Sequence, residues 1–224
     1  MHNRNSKHMK TVAIISQKGG AGKTTLALHL ATSATLVGQN TAIIDLDPQA
    51  SAANWGDRRS TELPVVLSAH ASRLLHEIER VESMGGELLI IDTAPHSDSA
   101  ALEAAKAADL ILVPCRPAIL DIEAISNTLN LIKTTGTPIF VVMNAVASKG
   151  NEAMEAAEAI ANLDVQICSV QLGQRVAFSR ALIAGKSAEE FEPDGKAAVE
   201  AKNLHTFMCE HMHTLSREHV QGAA

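Results

Sequence analysis

Short apolar runs rich in β-branched residues alternate along the chain with longer stretches in which alanine and other apolar residues recur at helical spacing. Seven runs read as strands: TVAIIS (11–16), TAIIDL (41–46), LPVVLS (63–68), ELLIID (87–92), DLILVP (109–114), PIFVVMN (138–144) and VQICSVQL (165–172). Several are apolar nearly throughout, the pattern of parallel strands covered on both faces. Helical patterns occupy 22–37, 69–83, 98–107, 119–134, 150–162 and 174–184, and a last one closes the chain over about 195–217. Such alternation predicts an α/β fold: a single domain on a doubly wound, mostly parallel sheet. Sheets of this kind bind ligands beyond the carboxyl ends of their strands. No repeat, low-complexity tract or linker divides the chain.

Composition agrees with one well-buried domain. The chain has 224 residues, 46% hydrophobic and 20% charged, which is globular rather than disordered. No apolar run reaches the ~18 residues that span a bilayer. The opening MHNRNSKHM is polar and has no signal-peptide core. Residues 1–8 therefore read as a disordered leader or an added segment, 9–217 as the domain and 218–224 as a flexible tail. Cys115, Cys168 and Cys209 lack paired spacing and read as buried thiols in a reducing cytoplasm. A formal net charge of -6 excludes a generally basic nucleic-acid binder, so any DNA contact must come from a local patch. With 2% aromatics and no tyrosine, stacking platforms for single strands are not expected.

The first strand runs into QKGGAGKTT and then a helix, the setting a phosphate-binding loop requires. Gly19, Gly20 and Gly22, with Ala21 between them, let backbone amides turn inward around phosphate oxygens. The helix N-terminus, at Thr24 and Thr25, adds unpaired N–H groups and a positive dipole end. Lys23 can reach the β- and γ-phosphates, and the Thr24 hydroxyl can ligate Mg²⁺. The loop departs from G-x-x-x-x-G-K-[ST] in two ways. Gln17 stands where the first glycine belongs, and a second lysine, Lys18, follows it. Lys18 is either a solvated charge or a group directed at a neighbouring subunit, where it could stabilise transition-state charge as an arginine finger does.

K-G-G-A-G-K-T-T resembles the deviant Walker A motif of the ParA/MinD family of dimeric ATPases. The resemblance implies a P-loop NTPase fold, ATP with Mg²⁺ as the ligands, and a nucleotide-sandwich homodimer in which Lys18 crosses to the partner's ATP. It extends to three further motifs in the family's order. DLDPQAS resembles switch I, which implies that Asp47 orients the attacking water while Asp45 supports the loop from the strand end. LLIIDTAPHSDS is a Walker B pattern that leads into a switch II-like segment and places Asp92 to bind Mg²⁺ through a water; the adjacent His96 reads as an ordinary surface or core histidine. FVVMNAVAS puts Asn144 where the family recognises adenine, an edge that an amide can pair with. SVQLGQRVAFSRALIAGKSAEEF resembles the stretch of small ParA proteins that closes over the base, with Leu172 and Gly173 at the base side. The chain lacks the N-terminal helix-turn-helix of larger partition ATPases, so the short ParF-like subclass matches better.

The resemblance implies a cytoplasmic, nucleoid-associated ATP hydrolase with weak basal activity stimulated by a ParB-like partner. Its ATP-bound dimer would hold nonspecific double-stranded DNA and position a plasmid, a chromosome or a protein body. Arg175, Arg180, Lys186, Lys196 and Lys202 are the candidate DNA contacts, each weighed against the reading of solvated charges among acidic neighbours. A MinD-like membrane switch is a second reading, from the stripe Leu204, Phe207, Met208, Met212 and Leu215 in the last helix. Its polar face lacks a lysine cluster, so the stripe reads as core and no stable membrane association is expected. A metabolic P-loop enzyme such as an amidoligase is the third, and no substrate-binding insertion supports it.

Overall fold

The computed structural model describes residues 8–221, with side chains through Met212. Seven strands form one sheet: β1 (Lys10–Ile14), β2 (Thr41–Asp45), β3 (Val65–Ser68), β4 (Leu88–Asp92), β5 (Leu110–Cys115), β6 (Ile139–Met143) and β7 (Gln166–Ile167). Their order is β3-β2-β4-β1-β5-β6-β7, and every pairing is parallel.

Nine α-helices accompany them among the described residues: α1 (Lys23–Leu36), α2 (Ser51–Gly56), α3 (Leu74–Ser83), α4 (Asp98–Ala107), α5 (Ile119–Ile132), α6 (Glu152–Ala161), α7 (Val176–Ile183), α8 (Ala188–Phe191) and α9 (Lys196–Gln221). Two cores lie on opposite faces of the sheet. Leu88 and Ile90 of β4 point into the core that α1, α2, α7, α8 and α9 cover; Leu89 and Ile91 point into the one under α3 to α6. Successive strand residues face opposite sides, so a strand buried on both faces must be apolar at every position. All five residues of β4 are buried, the first four apolar and the last, at the sheet's carboxyl edge, Asp92.

All the expected strands and helices form, and the differences are local. Two short helices, α2 and α8, escape the pattern because six and four residues hold too few turns to show a period. Ser187 and Glu190 do form a local capping box for α8. The strand expected to start at 63 starts at Val65, after Pro64, which has no N–H to give a ladder. The run 165–172 pairs as a strand only at Gln166–Ile167. Beyond it the chain still follows β6, with Cys168 N–H donating to Val141 O at 2.8 Å and Leu172 N–H to Met143 O at 2.9 Å. Helix α9 runs to Gln221, past the expected end at 217. The leader expected at 1–8, apart from His8, and residues 222–224 of the expected tail lie outside the described residues.

Candidate active site

Parallel register gathers three strand ends. Asp45 is level with Asp92, and Asp92 with Ile14, so two carboxylates and the start of the glycine-rich loop meet at the sheet's carboxyl edge. The connections there carry unusual backbone. Ala50 and His96, in the connections after β2 and β4, and Ala145, after the neighbouring β6, hold positive φ of 51°, 54° and 52°. Such conformations are rare outside glycine and concentrate at functional sites.

The loop is shaped to receive an anion. Gly22 (φ 104°) precedes α1, whose first turn has no side-chain cap, so its amides are left for a ligand. A Cβ on Gly19 or Gly20 would meet no atom within 4 Å, which leaves the space over those amides open. At Gly22 a Cβ would lie 2.0 Å from Asn144 Nδ2. Lys23 is 6% exposed and its Nζ donates to the Lys18 carbonyl at 3.3 Å. Burial pulls its pKa below the ordinary lysine value, while the Asp92 and Asp47 carboxylates act in the opposite sense. Thr24 and Thr25 follow in the first turn, half-buried.

Asp92 is fully buried, and neither of its carboxylate oxygens has a hydrogen-bond partner. Burial raises its pKa to about 7, and the carboxylates of Asp45 and Asp47 add to the rise; the Thr24 hydroxyl and Lys23 oppose it. A buried carboxylate left unpaired is costly unless a cation or proton joins it. With the Thr24 hydroxyl beside it, this donor pair of hard oxygens fits Mg²⁺. Asp45, by contrast, is spent on structure. Its Oδ1 accepts from Asp47 N–H at 3.0 Å, and its Oδ2 from Ala52 and Ala53 N–H at 2.9 and 3.2 Å. Asp47 stays partly exposed and accepts from Gln49 N–H at 2.9 Å.

Gln17 ties the loop to two helices. Its N–H donates to Thr128 Oγ1 of α5 at 3.1 Å, and its side-chain amide to Asp98 Oδ1 of α4 at 2.7 Å. Lys18 lines an adjoining cleft of about 360 Å³ with His96, Asp98 and Asn127. The two lysines thus separate: Lys23 points into its own loop, and Lys18 borders an open cleft beside the segment that follows β4. No local pattern signals the Gln17–Asp98 tie, because the partners are 81 residues apart.

The remaining candidates are placed as follows. Asn144 is buried, and its Nδ2 donates to Ala21 O at 2.7 Å, so it braces the phosphate loop. Leu172 is 0% exposed within the core, so its side chain packs and has no surface to offer a base. Arg175 is turned to Glu200, with Nε 2.8 Å from Oε1, and Glu200 also accepts from Gly173 N–H at 3.0 Å. Arg180, Lys186, Lys196 and Lys202 are exposed. Leu204, Phe207, Met208 and Met212 are buried against the sheet, so this stripe is core; the side chain of Leu215 lies outside the described residues. No helix among the described residues is long and apolar enough to cross a membrane. Nor do three His, Cys, Asp or Glu side chains gather there as a metal-holding group.

Comparison with known proteins agrees with this geometry. Over 201 residues the chain is 32% identical to the maintenance of carboxysome distribution protein A of Gloeobacter kilaueensis, covering 88% of this chain and 91% of that one. It is 26% identical over 212 residues to protein ParA of Rhizobium radiobacter, covering 89% and 94% of the two chains. In structure it is similar to the septum site-determining protein MinD of Pyrococcus horikoshii complexed with Mg-ADP, with a TM-score of 0.73 at 16% identity, over 88% of this chain and 94% of that one. At that identity the likeness shows the shared P-loop NTPase fold. The model of the CobQ/CobB/MinD/ParA nucleotide binding domain matches residues 12–188, from β1 to the start of α8, and the chain belongs to that family.

Proposed function

We propose that the protein is an ATP-dependent dimerising switch that binds nonspecific double-stranded DNA and positions a cargo with an activating partner. Family membership supports a nucleotide hydrolase, and relatives named for carboxysome distribution and as ParA support the positioning role. The observation that carries the reading is the division of labour between two lysines five residues apart: Lys23 buried in its own loop, Lys18 at the edge of an open cleft.

In this reading the amides of Gly19 to Thr25 cradle the phosphates of ATP, and Lys23 exchanges the Lys18 carbonyl for phosphate oxygen. Thr24, and Asp92 through a water, would hold Mg²⁺, which would neutralise charge on the phosphates. Asp47 orients the attacking water. Lys18 reaches the neighbouring subunit's nucleotide, which makes hydrolysis conditional on dimerisation. Asn144 remains a candidate for the base as well as a brace for the loop. Arg180, Lys186, Lys196 and Lys202 are the proposed DNA contacts, and Arg175, already committed to Glu200, contributes less.

The test is retention of sheared duplex DNA with ATP, ADP or no nucleotide at two salt concentrations. Binding with ATP alone that weakens steeply with salt is expected; binding in no state refutes the DNA-positioning role. Lys18→Ala should keep ATP binding within about threefold and lose hydrolysis by at least ~100-fold. Normal turnover by that variant would refute the cross-subunit lysine.

A further inference from the structure

Helix α2, six residues long, joins the nucleotide site to a basic surface built from the other end of the chain. At its start, Asp45 accepts from the amides of Asp47, Ala52 and Ala53, so the helix is tied to the segment that carries Asp47. At its end it is locked to the connection between α7 and α8. Trp55, 1% exposed, donates its indole N–H to the Lys186 carbonyl at 3.2 Å. The Arg59 guanidinium lies 4.5 Å from the Trp55 ring centroid. Its two Nη atoms meet the Glu190 carboxylate at 3.0 and 2.8 Å, and Nη1 also donates to Gly185 O at 3.2 Å. Gly185 (φ 69°) sits so close that a Cβ there would be 2.5 Å from Arg58 O. Arg58 in turn donates to Leu182 O at 3.4 Å.

Arg59 in this clamp has a buried side chain, 3% exposed, and Glu190 is partly buried, 18% exposed. A buried ion pair adds little stability over well-packed apolar residues of the same volume, because desolvating both charges offsets their attraction. What a two-pronged guanidinium–carboxylate contact does supply is fixed geometry. Here the geometry fixed is that of the α7–α8 connection relative to α2. Three exposed cations belong to the segments that meet here: Arg58, which donates to Leu182 O, Arg180 in the last turn of α7, and Lys186 in the connection itself. Arg58 comes from the segment after switch I, some 120 residues before the others in sequence.

We propose that the Trp55–Arg59–Glu190 clamp makes the position of switch I felt at a composite basic surface of Arg58, Arg180 and Lys186, whose ligand is a polyanionic phosphate backbone. This deepens the DNA-binding reading above and rests on it for the ligand, but the mechanical coupling stands apart from it. A shift of the Asp47 segment moves Asp45's amide partners, hence α2 as a rigid piece. The indole and the guanidinium carry that shift to Gly185 and Lys186. Trp55, Arg59 and Glu190 are positioning residues; the three exterior cations are the contacts.

Two readouts test it on the full chain. The first is amide hydrogen exchange over 182–190 with Mg²⁺ and either ADP or a slowly hydrolysed ATP analogue. The wild type should differ severalfold between the two states. Trp55→Phe, which removes the indole N–H and trims the bicyclic ring to a phenyl, and Glu190→Gln should shrink that difference below about twofold, with nucleotide affinity held within about twofold. Equal exchange in both states for the wild type, or an undiminished difference in Trp55→Phe, overturns the coupling; that variant decides the matter if Glu190→Gln fails to fold. The second readout is retention on nonspecific duplex DNA. Arg58→Gln should lower affinity with ATP and reduce the salt slope by about one, with the exchange response intact. An unchanged affinity and slope removes Arg58 from the surface. A wild type that shows the exchange response yet binds DNA in no state refutes the polyanion as ligand and leaves the coupling supported.

Discussion

Two buried groups near the nucleotide site titrate in opposite senses. His29, one turn beyond Thr25, donates through Nδ1 to the Thr25 carbonyl at 2.7 Å, while its buried Nε2 has no partner. Burial lowers its pKa from 6.5 to about 4. The folded state therefore resists protonation, and the stability present above pH 6.5 is lost as pH falls towards about 4. Asp92 has the reverse sign. Its folded value of about 7 lies above the ordinary 3.8, so stability declines as pH rises from about 4 to about 7. The two slopes oppose each other between pH 5 and 7.5. Measured by urea unfolding without magnesium, His29→Leu should gain about 2 kcal/mol relative to the wild type on going from pH 7.5 to 5. Asp92→Asn should lose about as much over the same interval. At pH 8 Asp92→Asn is also expected to raise the thermal midpoint while abolishing magnesium-dependent hydrolysis, because it removes a buried charge that only a cation would satisfy. A lowered midpoint would mean that the carboxylate has a partner in the free protein.

At the scale of elements, short connections bear the functional load. Helix α2 is six residues long, too short to hold itself in water. Its amides find their acceptor in Asp45, the last residue of β2. Asp45→Ala should cost about 2–3 kcal/mol and raise amide exchange across 51–56, since three N–H groups lose their acceptor. An exchange pattern unchanged from the wild type would show that the helix is held by packing of Trp55 alone. The glycine-rich loop is equally constrained. Gly22→Ala would need a left-handed alanine whose Cβ collides with Asn144, and nucleotide affinity is expected to fall at least ~30-fold by direct titration. The strands, helices and phosphate loop were legible in the sequence because each rests on local pattern: apolar runs, small residues at helical spacing, glycines before a lysine. The short helices were not legible, because six and four residues show no period, and α2 takes its cap from Asp45 at the end of β2.

For the whole molecule, the proposed dimer makes a prediction that no single site can. If Lys18 serves the neighbouring subunit while Asp47 serves its own, then Lys18→Ala and Asp47→Ala subunits are each inactive alone but complementary when mixed. At equal ratio, random pairing puts one complete site in half of the dimers, and turnover should recover to about a quarter of wild type. A mixture as inactive as its components would place both residues in the same site. The sequence by itself determined the layered α/β architecture, the loop that can hold phosphate, and the aspartates at strand ends, since each follows from periodicity or from motifs contiguous in the chain. Only the tertiary structure showed which amides Asp45 caps, those of Asp47, Ala52 and Ala53. It alone turned Arg175 to Glu200, buried Leu172 in the core and bound Gln17 to Asp98. Likewise it brought Arg58 and Arg59 against a loop more than a hundred residues away. Side-chain partnership depends on which elements the sheet order makes neighbours, and pattern along one chain carries no record of that distance.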